Sequence, residues 1–68
     1  MPKYCVNKET DNNGDHEVHK ENCPWWPSDK NRLDLGYHDS CESAVAEAKK
    51  HYSNVNGHKH CSQDCHTS

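Results

Sequence analysis

Two pairs of soft donor residues recur at one spacing in this chain, His19-x3-Cys23 and Cys61-x3-Cys65. In a helical turn or a looped knuckle, such a spacing lets both side chains of a pair face one ion. Zinc takes four nitrogen or sulfur ligands in a tetrahedron, commonly as two local pairs. The spacing therefore predicts a zinc site of His19, Cys23, Cys61 and Cys65, although the order departs from the common Cys-Cys…His-His arrangement. His58 precedes Cys61 with two intervening residues, as in a knuckle, and is the leading substitute ligand. Cys41 is a second substitute, and His16, His60 and His66 are weaker candidates.

Other chemistries find less support. Thiol nucleophile and imidazole base can be paired in many ways here, so their presence alone carries no information. His16-Glu-Val-His19 is one residue short of the metalloprotease spacing, and neither a Gly-rich phosphate loop nor a Cys-x2-Cys occurs. The expectation is a protein without catalytic activity. Formal charge is −3 with neutral histidines, which gives no electrostatic case for binding a nucleic-acid backbone.

The elements that must position the donors are few. Sixty-eight residues permit one domain, and only 29% of them are hydrophobic even with the five cysteines counted. Mean hydropathy is −1.39, a value that suggests disorder unless metal or covalent bonds supply stability. Residues 3–20 read as a hairpin, with Tyr4 and Val6 an even step apart and Asn13-Gly14 offering positive-φ turn positions. His16 and Val18 then share one face of the return strand, Glu17 and His19 the other. Residues 23–30 form a proline-bounded loop. Its Trp25 and Trp26 are expected to supply much of the core, the alternative being an exposed aromatic patch. Leu33 and Leu35 mark a short strand over residues 32–35.

Residues 40–52 carry the clearest helical pattern, with Cys41, Ala44, Val45, Ala48 and Tyr52 on one face. Asp39 and Glu42 form the expected capping box, and the helix is a strut of roughly 20 Å. Gly57 or Asn56 ends it in a left-handed turn. The Cys/His tail covers residues 57–66. Cys41 is expected as a buried thiol acting as a small hydrophobe; a disulfide to Cys5 or Cys23, metal ligation, and a reactive thiol remain open. The fold class is α+β: a β-hairpin or three-stranded antiparallel sheet packed on one α-helix and stapled by a Cys/His metal site.

Taken together, Tyr4-Cys-Val-Asn7, Gly14-Asp-His-Glu-Val-His19, Cys23, Pro27, Asn31-Arg32, Leu35-Gly36, Ser40-Cys41, Ala44-Val45, Ala48-Lys49, Gly57, Cys61 and Cys65-His-Thr-Ser68 resemble a family of small, largely uncharacterised bacterial Cys/His-rich domains. More loosely, the His-x3-Cys, the aromatic that follows, the Ala-rich helix and the closing Cys pair are similar to the zinc-binding module of Ada-type DNA-repair proteins and nuclease-linked relatives. That resemblance implies zinc at the positions matching His19, Cys23, Cys61 and Cys65. Two departures touch the fourth ligand: the closing pair is Cys-x3-Cys rather than Cys-x2-Cys, and His58 stands where a cysteine is expected after Gly57. DNA-repair activity does not carry over with the metal.

The sequence thus predicts a small structural zinc-binding domain used as an interaction module, monomeric, with a protein partner and no membrane. Alternatives are a disulfide-stabilised domain without metal and a metal-buffering protein. The N-terminus lacks signal-peptide character, so a cytoplasmic location is expected. There, clustered Cys and His more often mean metal than disulfide.

Overall fold

The computed structural model describes residues 1–67; Ser68, part of the resembling pattern above, lies outside the described residues. Strand β1 (Lys3–Thr10) turns into β2 (His16–Lys20), and β3 (Arg32–Tyr37) follows a 3-10 turn at Asp29–Asn31. Helix α1 (Cys41–Ala48) leads to β4 (Val55–Gly57) and a closing 3-10 turn at Gln63–Cys65. The sheet has four strands in the order β3-β1-β2-β4. The architecture is α+β, as expected, with one strand more than the three foreseen.

The hairpin forms for local reasons. The Asp11 carboxylate accepts from the backbone N–H groups of Asn13 and Asp15, both at 2.9 Å. Gly14 takes the left-handed conformation at φ +80°, and Asn13 does not. Antiparallel register then sets Val6 opposite Val18 and Cys5 opposite His19. Tyr4, Val6 and Val18 join the hydrophobic core with Cys41, Ala44 and Ala48 of the helix. Successive residues of a strand point to opposite faces, so Cys5 and His19 face away from α1. On the other side of β1, pairing shifts between Tyr4 and Cys5, which skips Leu35, and Gly36 at φ +82° absorbs the irregularity.

Strand β4 is a correction to the sequence reading, which made Gly57 a helix terminator. Val55–Gly57 instead pairs parallel to β2, from His16 opposite Val55 to Val18 opposite Gly57. Gly57 is required for close approach: a Cβ there would lie 2.6 Å from the Ser62 carbonyl oxygen and 2.7 Å from Cys65 Cβ.

The helix is shorter than expected, eight residues or about 12 Å at 1.5 Å per residue. Its last turn tightens, with Lys50 N–H donating to Glu47 O and His51 N–H to Ala48 O, both three residues back. Ser40 occupies the N-cap and makes no side-chain capping bond, so the Asp39–Glu42 capping box does not form. Tyr52 still packs on the core beyond the helix end and stacks on His16 at 3.8 Å.

The tryptophans do not build the core. Trp25 is 54% exposed, and half-buried Trp26 lies 5.5 Å from the Arg32 guanidinium in cation–π contact. Small residues at Ala44 and Ala48, both fully buried, let the helix sit close to the sheet, which leaves a thin layer filled by Tyr4, Val6, Val18 and Leu35. Among the described residues no helix is long and apolar enough to cross a membrane.

Candidate metal centre

The centre lies where β2 and β4 end side by side. His19 is the penultimate residue of β2 and is 2% exposed. After Lys20 the chain turns through Asn22 at φ +70°. Cys23 N–H donates to Lys20 O at 3.3 Å, and Trp26 N–H to Cys23 O at 3.0 Å. This tight reversal brings Cys23 back beside His19. From the other direction, His58 N–H donates to Val18 O at 3.0 Å, extending the parallel ladder by one residue past β4. Ser62 N–H then donates to His58 O at 2.8 Å, and that single helical turn swings Cys61 over the same point. The Lys20 backbone N–H reaches Cys61 Sγ at 3.4 Å and ties one half of the centre to the other.

One donor atom from each of His19, Cys23, His58 and Cys61 falls within 4.8 Å of every other. Both imidazoles present Nδ1. Cys23 Sγ lies 3.6 Å from His19 Nδ1 and 4.0 Å from His58 Nδ1. Cys61 Sγ lies 3.7 Å from His19 Nδ1 and 3.6 Å from His58 Nδ1. A tetrahedron with metal–sulfur bonds of ~2.3 Å and metal–nitrogen bonds of ~2.05 Å has sulfur–nitrogen edges of about 3.6 Å. All four mixed edges of such a tetrahedron are therefore already near their coordinated length.

Electrostatics at the centre follow from burial. Burial, reinforced by the charge of His58, pushes the His19 imidazole down to about 4. His58 is lowered by burial first and by His60 second. Burial, then the neighbouring Cys23, raises the Cys61 thiol to about 11. The imidazoles are thus held neutral, the form that donates to a metal, whereas the Cys61 thiol must lose a proton to do so. Around the centre the rings are layered: His19 and His58 sit 4.4 Å apart, and Trp25 stacks on His60 at 4.6 Å and 14°. Trp25 is also 5.4 Å from His58, so the exposed indole shields one side of the donors.

Three of the four ligands expected from spacing, His19, Cys23 and Cys61, come together here. Cys65 does not. It is disulfide-bonded to Cys41, with Cα atoms 6.2 Å apart, and His58, the substitute, stands at the fourth vertex. Cys41 is accordingly neither the inert thiol of the first expectation nor a metal ligand, and its partner is neither Cys5 nor Cys23. The physical reason is the seating of the tail. Gly57 lets Cys65 Cβ press against the β4 backbone, and the closing 3-10 turn packs on α1, where Cys65 bonds to Cys41 and stays outside the donor cluster. Cys5 stays a free thiol, fully buried beside His19 on the sheet, its pKa pushed up to about 12 by burial.

The weaker candidates are engaged elsewhere. His16 Nδ1 donates to Asn7 O at 2.9 Å, and His66 Nδ1 to Gly57 O at 3.0 Å, while His60 stacks on Trp25. The His58-x2-Cys61 knuckle spacing was the one sequence signal for the fourth vertex.

No protein-family model, no curated protein and no solved structure matches this chain.

Proposed function

We propose that this chain is a small structural zinc domain, closed by His19, Cys23, His58 and Cys61, that serves as a monomeric protein-interaction module and not as an enzyme. The observation that carries the metal reading is the set of four sulfur–nitrogen separations, 3.6 to 4.0 Å, each close to a tetrahedral edge. Two thiolates and two imidazoles in a tetrahedron suit zinc among the common divalent metals. Four protein donors also fill the coordination shell, which is the structural rather than the catalytic pattern, because no vertex remains for water or substrate. The resemblance to the zinc-binding module of Ada-type proteins supports the metal and nothing of the repair chemistry. Trp25, exposed beside the centre, is the surface assigned to a protein partner; the net negative charge disfavours a nucleic acid.

Disulfide and metal divide the work between them. The Cys41–Cys65 bond ties the closing turn to α1, while the four donors tie β2 to the segment after β4. The expected cytoplasmic location therefore carries a condition: a reducing compartment opens that bond and leaves the metal as the main staple.

Cobalt substitution tests the site. Co(II) bound to the full chain should give the visible absorption of a tetrahedral S2N2 complex, together with thiolate charge transfer in the near ultraviolet. His58→Ala and Cys61→Ser should each abolish that spectrum, and Cys5→Ala should leave it intact. Retention of the full spectrum in His58→Ala would remove His58 from the centre and return the fourth vertex to another residue. Chelation of the native metal should also cost much of the fold, since binding and folding are coupled. Metal that leaves with the fold undisturbed would favour buffering.

A further inference from the structure

The two sulfurs of the centre are themselves placed for chemistry. Cys23 and Cys61 approach each other within the 4.8 Å donor cluster, and each borders the same open groove of about 700 Å³. That groove runs between the Trp loop, the start of α1 and the tail, with Glu21, Asp39 and Gln63 also on its walls. Cys23 belongs to the turn after β2 and Cys61 to the turn after β4, so a bond between them would join the segments that the metal joins. The third free thiol, Cys5, is fully buried and is not on the groove.

We propose that Cys23 and Cys61 form a redox-active pair that hydrogen peroxide converts into a second disulfide, with release of the bound metal. This rests on the metal reading above. The more exposed Cys61 sulfur attacks one peroxide oxygen and forms an S–O bond as the O–O bond breaks; the departing oxygen leaves as hydroxide and is protonated to water. The Cys23 thiolate then attacks Cys61 sulfur and expels the sulfenic oxygen, which leaves as a second water once protonated. Two thiolates together lose two electrons, and the peroxide gains them. A metal that has lost both sulfur donors keeps only two imidazoles and dissociates. The product is a chain with two disulfides, Cys41–Cys65 and Cys23–Cys61, in which the second bond replaces the metal staple.

The full-length zinc-loaded protein is treated with one equivalent of hydrogen peroxide and quenched with catalase. Released zinc is read with a chromophoric chelator, free thiols by alkylation in denaturant, and linkages by peptide mass spectrometry. The expected result is one zinc released for every two thiols lost, a mass lower by two hydrogens, a Cys23–Cys61 linkage and a Cys5 that still alkylates. Loss of thiols without zinc release, a linkage through Cys5, or a rearranged bond involving Cys41 or Cys65 would overturn the proposal. The same treatment of metal-free protein separates it from the underlying reading. A chain that takes up no metal yet forms Cys23–Cys61 keeps the redox pair and refutes the metal site, and a chain that binds metal but never forms the bond does the reverse.

Discussion

Metal binding at this centre should release two protons per metal ion, and that number is set by the identity of the fourth ligand. At pH 7 both imidazoles are already neutral: burial and the charge of His58 hold His19 down to about 4, and burial together with His60 lowers His58. Neither contributes a proton. The sulfur donors do, since a thiol must ionise before it binds, and Cys61 is pushed up to about 11 by burial and by Cys23. The apparent association constant should therefore rise with pH by two powers of ten per unit, or about 2.7 kcal/mol per pH unit at 25 °C. The direction is fixed: falling pH returns protons to the sulfurs and weakens binding. Isothermal titration calorimetry near pH 7, in two buffers of different ionisation enthalpy, counts the protons directly. A count near three would mean that Cys65, with its disulfide reduced beforehand, ligates the metal in place of His58, as the spacing of the sequence first suggested. A count of one or fewer would mean that at least one of the two thiols is not a ligand, and the tetrahedral reasoning would fall.

Removing the Cys41–Cys65 bond by paired serine substitution should destabilise the metal-loaded protein by about 3.5 kcal/mol, from the loop-closure entropy of a span of roughly 25 residues; urea denaturation at constant free zinc measures it, and a loss below ~1 kcal/mol would contradict the anchoring role of the closing turn. Gly57→Ala should cost about 1–3 kcal/mol by overpacking and weaken metal binding as well, because the added Cβ meets the Ser62 carbonyl at 2.6 Å and Cys65 at 2.7 Å and must push the tail off β4. Acid should destabilise the fold through His19: its folded value without metal, near 4, lies below the ordinary 6.5, so stability is full above pH 6.5 and is lost as pH falls towards 4. Equilibrium denaturation between those limits checks the sign, and His19→Gln should flatten the dependence. Trp25→Ala, which removes the stack on His60, should cost about 0.5–1.5 kcal/mol in the same assay.

The parts of this structure legible from sequence are those fixed by local pattern. Tyr4 and Val6 alternate, Gly14 turns the hairpin, and Cys41, Ala44 and Ala48 share a helical face; all of these stand in the structure in those roles. Strand β4 was not legible, because three residues, Val-Asn-Gly, show no alternation and owe their extended form to a parallel pairing with a distant β2. The indoles misled for a related reason. Large apolar area predicts burial only where a cavity exists to receive it, and here the alanines bring the helix close to the sheet, leaving no such space.

At the centre, His19-x3-Cys23 was readable because one β-strand end and one tight turn settle it. The choice between His58 and Cys65 was not. Both spacings reach one ion from Cys61, and the decision rests on a long-range fact: the tail lies against Gly57 and carries Cys65 to Cys41. The same fact explains the error about Cys41, whose partner is 24 residues away and could be found only through the packing of the tail.

Native and denaturing mass spectrometry of the protein purified without added metal tests most directly whether His19, Cys23, His58 and Cys61 hold a metal. The expected result is one zinc per chain in the native spectrum. After denaturation and alkylation, Cys5, Cys23 and Cys61 should be modified and Cys41 and Cys65 should remain linked. A chain without metal, with Cys23 and Cys61 free and unable to take up zinc when it is supplied, would contradict the assignment of the centre.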